Sequence, residues 1–332
     1  MNTLEAFADL VGASGAVAVE GGRTQWSLGG PADPDARLVR APSGVVSHEP
    51  EEMIVRVRAG TPLEELRAAT AEAGQFAALE ASEPALATVG GVLACGRSGV
   101  RRLGWGPVRD AVLEVTAVDA GGSLIRAGAP LVKNVTGFDL CRLLVGSLGT
   151  LALIAEVVLR CKPLPEVERW WRAEGADPFG VAATLYRPLS VLWDGRCTWV
   201  GLAGYGADVD DQERRLLRPS GFEEVAGPPP LPGGGRWSYP PAALAGLPGA
   251  AGGPWLAEIG VGVVHTAAGD PPFDPASHVR PAAAAPSAFQ PGPAHQPALA
   301  AIHRRLKEAF DPTGRLNPWR SPLRSLPPQA SR

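Results

Sequence analysis

Apolar residues in the first half of the chain recur with the periods of both strands and helices. The run Ile54-Val55-Arg56-Val57-Arg58 reads as a strand that stops at Gly60. Thr61 follows as the expected cap of a helix, with Pro62 at its first position and Glu64 where a capping box needs it. Leu63, Leu66 and Ala69 give that helix a short apolar stripe, and Gly74 ends it. Val112 to Val118 is strand-like, and Asp119-Ala120-Gly121-Gly122 turns the chain into Ser123 to Arg126. Phe138 to Val145 reads as a short helix stopped by Gly146, followed by an apolar strand from Leu151 to Leu159. Near the end, Leu299, Ile302, Leu306 and Phe310 repeat at helical spacing until Asp311-Pro312.

Composition divides this pattern in two. Residues 1 to about 166 are rich in glycine, valine and alanine, whereas from about 167 tryptophan becomes more frequent and residues 227 to 297 carry many prolines. Proline fixes φ and removes a donor, so PPPLPGG and PPFDP are expected as loops.

Charge excludes more than it suggests. Charged residues are 20% of the 332, with a formal net charge of -3 and no basic cluster beyond short runs such as Arg101-Arg102 and Arg304-Arg305, so a nucleic-acid partner is not expected. The 4 cysteines, Cys95, Cys141, Cys161 and Cys197, lie far apart, with no CxxC and no histidine at ligand spacing. Neither a disulfide framework nor a metal or iron–sulfur site is expected in this chain. The start MNTLEAFADL does not read as a signal peptide, and the apolar run from Leu143 to Ala155 is shorter than a bilayer span. A soluble, cytoplasmic protein is the default, peripheral to a membrane only through partners.

Four small-residue loops are the candidate chemistry. In Glu20-Gly21-Gly22-Arg23-Thr24-Gln25, adjacent glycines permit close backbone approach, and successive amides can point at a pyrophosphate. The spacing is not that of a Rossmann GxGxxG, and alone the loop reads as a tight turn. Thr88-Val89-Gly90-Gly91 and Ala94-Cys95-Gly96-Arg97-Ser98-Gly99 form two further clusters around a short apolar run, with small hydroxyl donors at Thr88 and Ser98. Arg109 can neutralise phosphate or simply pair with Asp110. Lys133-Asn134-Val135-Thr136-Gly137 places a positive charge where a pyrophosphate or flavin would need one, and Asn134 and Asp139 can position backbone. Gly146-Ser147-Leu148-Gly149-Thr150 is the last loop. Several such loops in one domain favour a dinucleotide over four unrelated turns.

These segments carry a resemblance. EGGRTQWSLG (20–29), RAGTPLEELRAATAEAG (58–74), TVGGVLACGRSGVRRLGWGPVRD (88–110), VKNVTGFDLCRLLVGSLGTLALIAE (132–156) and FDPTGRLNPWR (310–320) resemble the vanillyl-alcohol-oxidase-like, or PCMH-type, flavoproteins. Within that superfamily they are most similar to the FAD-binding subunits of glycolate oxidase. The resemblance implies an α+β fold: a two-part PCMH-type FAD-binding domain over residues 1–166 and a smaller α+β domain over 167–332. The latter would be a reduced, cap-like domain with proline-rich loops and a C-terminal return helix.

The resemblance further implies that Gly21, Gly22, Arg23, Thr24 and Gln25, with Thr88, Gly90 and Gly91, cradle the FAD pyrophosphate. Ser98, Gly99 and the stretch from Leu153 to Val157 would line ribityl, ribose or adenine. Asn317 would belong to the return segment beside the flavin domain. The chain departs from the larger relatives at Phe138, Leu148, Ala152 and Ala155, and Trp319 stands where an NPG ending has glycine. No histidine or cysteine lies between Gly12 and Asp33, so FAD is expected to be non-covalent.

Oxidising a 2-hydroxy acid requires a base, a cationic clamp and a hydride acceptor. The 5 histidines, His48, His265, His278, His295 and His303, form no compact constellation with arginine, and no base is nominated. That absence fits a subunit whose partners, a larger flavin subunit and an iron–sulfur subunit, carry substrate chemistry and electron transfer. The alternatives are a stand-alone flavin dehydrogenase and a structural subunit that has lost FAD.

Overall fold

The computed structural model describes residues 3–130, 139–217, 221–247, 255–267 and 296–321. The elements begin with helix α1 (Leu4–Val11), strands β1 (Val17–Val19), β2 (Arg37–Val39), β3 (Val45–Glu49) and β4 (Ile54–Arg58), and helix α2 (Leu63–Ala71). Strand β5 (Gln75–Ala77), helices α3 (Val89–Cys95) and α4 (Arg102–Trp105), strands β6 (Val112–Val118) and β7 (Leu124–Gly128), helix α5 (Leu140–Leu144) and strand β8 (Leu153–Pro163) follow. Next are strand β9 (Val167–Glu174), helix α6 (Pro178–Thr184), strands β10 (Ser190–Trp193) and β11 (Cys197–Gly204), and helix α7 (Gly206–Leu217). Strands β12 (Glu223–Val225), β13 (Gly235–Ser238), β14 (Trp255–Glu258) and β15 (Val263–Thr266) precede helix α8 (Gln296–Phe310). The fold is mixed α+β, in two compact units: Met1–Gly99, Pro107–Leu164 and Pro297–Arg324 form one, and Val100–Gly106, Pro165–Gln296 and Ser325–Arg332 the other.

In the first unit β8 is the central strand of an antiparallel sheet ordered β3-β4-β8-β6-β7, with β5 pairing the far end of β8. A strand paired on both edges and covered on both faces needs a nearly continuous apolar run, which explains Leu153 to Leu159. One face of the sheet packs Val57, Val115, Val157 and Leu159 against Leu63 and Leu66 of α2, Leu93 of α3 and Leu144 of α5. At one end of the other face, Phe7 and Val11 of α1 meet Val118, Leu153 and Ala155.

A short parallel pair, β1 with β2, is extended by the returning C-terminal segment through a Val17–Leu316 bridge. The Arg315 guanidinium fastens that segment by donating to the carbonyl oxygens of Val11, Ser14, Gly15 and Ala120.

Three local expectations change. Helix α2 begins at Leu63 with Pro62 as its N-cap and no capping side-chain bond, because the Thr61 hydroxyl accepts instead from the Gly44 amide at 2.8 Å. The glycine cluster at 88–95 is helix α3: Thr88 caps it, accepting from Gly91 N, while Val89 and Leu93 bury one helical face. The strand expected to end at Leu159 continues to Pro163, because β5 supplies a pairing partner for Cys161 to Pro163.

The second unit holds a seven-stranded antiparallel sheet ordered β12-β9-β11-β10-β14-β15-β13. Trp171, Val200 and Leu202 pack on one face against Val181 of α6 and Val209 and Leu216 of α7. Arg169 ties α7 to the same face by donating to Asp210 and Glu213.

Candidate functional site

The first loop leaves β1 directly and is braced from beneath. The buried Glu20 carboxylate accepts from Arg40 and Arg23, and these two guanidiniums, Arg40 foremost, hold it below the usual carboxylate range. Arg23 itself stands in the left-handed region at φ 59°. Among the described residues, no acceptor meets the amides of Gly21, Gly22, Arg23, Thr24 or Gln25. Five successive unpaired amides around a left-handed residue can act as an anion nest.

The glycines are there for closeness between loops. A Cβ at Gly22 would stand 1.7 Å from the Leu86 carbonyl oxygen, and one at Gly21 would stand 2.4 Å from Thr88 Oγ1. The first loop therefore lies directly on the segment that starts α3. Gly90 packs on Ala59, where a Cβ would come within 2.7 Å of the Ala59 Cβ. Gly96 ends α3 in the left-handed conformation, and a side chain there would meet the Gly146 Cα at 2.7 Å. The Gly146 and Leu148 amides donate to the carbonyls of Leu93 and Ala94, so the 146–150 loop is sewn to the end of α3. Arg97 completes the circuit by donating to Gln25 Oε1 at 2.8 Å.

The C-terminal return segment closes the cradle. Asn317, 3% exposed, donates from Nδ2 to the Leu148 carbonyl at 2.6 Å and accepts at Oδ1 from Val19 N at 3.0 Å. Lys307 on α8 donates to the Thr150 and Leu316 carbonyls and to Asp311. Arg320 donates to the Trp26 carbonyl and stacks 4.2 Å from the centre of the Trp26 ring, with Arg23 5.0 Å from it. Trp319 also stands in the left-handed region, at φ 68°.

The structure thus brings together Gly21, Gly22, Arg23, Thr24, Gln25, Thr88, Gly90, Gly91 and Asn317. The remaining expected site residues have these surroundings. Ser98 Oγ accepts from Val108 N at 3.0 Å, and a Cβ at Gly99 would stand 2.0 Å from Glu80 Oε2. Val157 is buried in the apolar core, with its strand paired on both sides. Lys133 and Asn134 lie outside the described residues. Asp110 pairs with Arg142 at 3.0 Å and, more distantly, with Arg109 at 3.9 Å.

Three features were missed in the sequence. The Trp26–Arg320 stack joins residues remote in sequence and had no local signal. The Ser147 hydroxyl is buried without a partner among the described residues. In the second unit, His265 Nε2 and Glu258 Oε1 form a buried contact of 2.7 Å across neighbouring strands. His278 and His295 fall outside the described residues, and burial lowers the pKa of His303. Burial also pushes the Cys141 and Cys161 thiols up to about 11, and among the described residues no metal-ligand cluster forms.

Residues 4–128 match the family model described as FAD binding domain. The chain carries a PCMH-type FAD-binding domain that takes its cofactor non-covalently, with a smaller C-terminal α+β subdomain. That domain is homologous to glycolate oxidase subunit GlcE of Escherichia coli, 35% identical over 218 residues that cover 63% of this chain and 61% of that subunit. Glycolate oxidase subunit GlcD of Bacillus subtilis is 33% identical over 38% of this chain and 27% of its own length. D-lactate dehydrogenase of Archaeoglobus fulgidus is 47% identical over 23% of this chain and 17% of its own. The chain therefore spans less than two thirds of each of these relatives. A solved alkyldihydroxyacetonephosphate synthase shares the fold, with TM-score 0.54 at 17% identity over 68% of this chain and 51% of that one.

The cradle fits FAD on its own geometry. The open amides at 21–25 suit a diphosphate, and the Ser147 hydroxyl is a donor without an acceptor among the described residues.

Proposed function

We propose that this chain is the FAD-binding subunit of a 2-hydroxy-acid oxidase or dehydrogenase complex of the glycolate oxidase kind. It would support oxidation of the hydroxy acid to a 2-oxo acid alongside a larger flavin subunit and an iron–sulfur subunit. The observation that carries the reading is the 218-residue similarity to a glycolate oxidase subunit, joined to a cradle whose amides await an anion. The amides of Gly21 to Gln25 would hold the pyrophosphate, with Thr88, Gly90 and Gly91 setting the height of that loop. Ser98, Gly99, Val157, Lys133 and Asn134 are proposed for the rest of the cofactor. Asn317 would act by positioning the first and last loops, since both ends of its amide are already engaged. FAD supplies hydride acceptance when bound; the chain's own residues hold and orient it.

Among the described residues no helix is long and apolar enough to cross a membrane, and a cytoplasmic location is part of the proposal. The test is anaerobic addition of glycolate to the purified chain, alone and co-purified with its partner subunits, following the flavin spectrum. Bleaching only in the complex supports the subunit reading. Bleaching of the isolated chain would replace it with a stand-alone dehydrogenase, and a colourless chain that takes up no FAD would end both.

A further inference from the structure

The stretch that carries the open amides is held on both sides by the C-terminal return segment. On the near side, Asn317 N donates to the Val17 carbonyl at 2.8 Å, and the Asn317 side chain accepts from Val19 N. On the far side, Arg320 Nη2 donates to the Trp26 carbonyl at 2.7 Å, and Ser321 N donates to the Gly29 carbonyl at 3.1 Å. Gly21 to Gln25 therefore form an arch with both feet on residues 317–321.

Arg320 differs from the arginines that brace the loop from beneath. Arg23 and Arg40 spend their charge on Glu20. Arg320 has no carboxylate partner among the described residues; its hydrogen bond goes to a neutral carbonyl, and its Cζ stands 4.2 Å from the centre of the Trp26 ring. Its Nη1 makes no hydrogen bond among the described residues and keeps accessible surface. Burial lowers the pKa of this guanidinium, and the neighbouring Cys95 thiol pulls the other way. A desolvated cation without a counter-charge is costly, and an anion settling beside it offsets that cost. The Trp26 carbonyl that Arg320 holds is one residue beyond the last open amide, so the full charge and the amide dipoles add to one positive field.

We infer that Arg320 is a cofactor-binding residue, whose guanidinium holds the far foot of the arch through Trp26 and supplies positive charge to the FAD diphosphate. The inference rests on the reading above that the amides of Gly21 to Gln25 hold that diphosphate, and it adds the charge partner. Backbone amides offer a dianion only partial charges. A guanidinium fixed against an indole adds a whole charge, with planar donors suited to phosphate oxygens.

The test titrates FAD into the FAD-free full chain at increasing KCl, following flavin fluorescence. R320Q should weaken FAD binding about tenfold. ADP, which carries the diphosphate without the flavin, should compete about tenfold less well against FAD in R320Q. Wild-type affinity should fall between about 50 and about 300 mM KCl, and that of R320Q less steeply. R320K keeps the charge, so it should recover the wild-type salt dependence and most of the affinity, and R214Q on α7 should match wild type throughout. Where R320Q lowers the melting temperature of the FAD-free chain, R320K and the wild-type salt dependence decide instead. R320Q that binds FAD and ADP as wild type does, R320K as weak as R320Q, or wild-type binding insensitive to KCl overturns the role of Arg320 alone. Weaker FAD binding with unchanged ADP competition and an unchanged salt slope would make Arg320 a brace only, and overturns its charge role. FAD binding that ADP does not compete for and Gly22→Ala does not weaken overturns the placement of the diphosphate as well.

Discussion

Asn317 and Val19 stand 298 positions apart and are joined by a 3.0 Å hydrogen bond from the Val19 amide to the Asn317 side chain. The same side chain holds the Leu148 carbonyl at 2.6 Å, and Leu148 sits in the left-handed region at φ 54°. One buried amide thereby fixes the strand that launches the first loop and the turn of the last. Asn317→Ala removes both bonds at a buried site and should lower unfolding free energy by roughly 2–4 kcal/mol, measured by urea titration. Asn317→Asp keeps the acceptor but sets a carboxylate against the Leu148 carbonyl, so it should be destabilised as well. Wild-type stability in both variants would remove the positioning role.

Gly22 touches the Leu86 carbonyl so closely that no side chain fits, with a Cβ at 1.7 Å. Gly22→Ala must lift the first loop off the start of α3, and FAD affinity should fall at least tenfold by flavin fluorescence. Gly233→Ala, at a position with open space around it, should leave affinity unchanged. Equal affinity in the two variants would mean that loop height does not control the cofactor.

Ser147 offers a separable test, because its hydroxyl is buried with no partner among the described residues. Ser147→Ala should leave the FAD-free chain equally stable or stabilise it by up to about 1 kcal/mol. It should at the same time speed FAD release several-fold in a dilution assay. Unaltered release would show that the hydroxyl does not reach the cofactor.

Asp311 connects the return segment to pH. Burial alone would raise its pKa, but the Lys307 ammonium and the Leu316 and Arg315 amides outweigh burial and hold it below the ordinary value of 3.8. A carboxylate depressed on folding contributes stability above its unfolded pKa and loses it as pH falls through the folded one. Wild-type protein should therefore lose this contribution as pH falls below about 4. Asp311→Asn should be less stable at neutral pH and should show a shallower decline between about pH 5 and pH 3, read from thermal melts. Parallel pH profiles for the two proteins would contradict the linkage.

Local patterning determined the strands at 54–58 and 112–118, the last helix and the glycine-rich character of the loops, because those signals lie within a few residues of one another. It also placed Gly21, Gly22, Thr88, Gly90 and Gly91 among the candidates, since paired glycines report close backbone approach wherever they occur. It did not reveal what approaches them. Leu86 became the neighbour of Gly22, Ala59 that of Gly90 and Gly146 that of Gly96 only when β1, α3 and the 146–150 loop were folded together. Sequence spacing likewise read 88–91 and 94–99 as two small-residue loops around a short apolar run; Thr88 capping and burial of Val89 and Leu93 made 89–95 a helix.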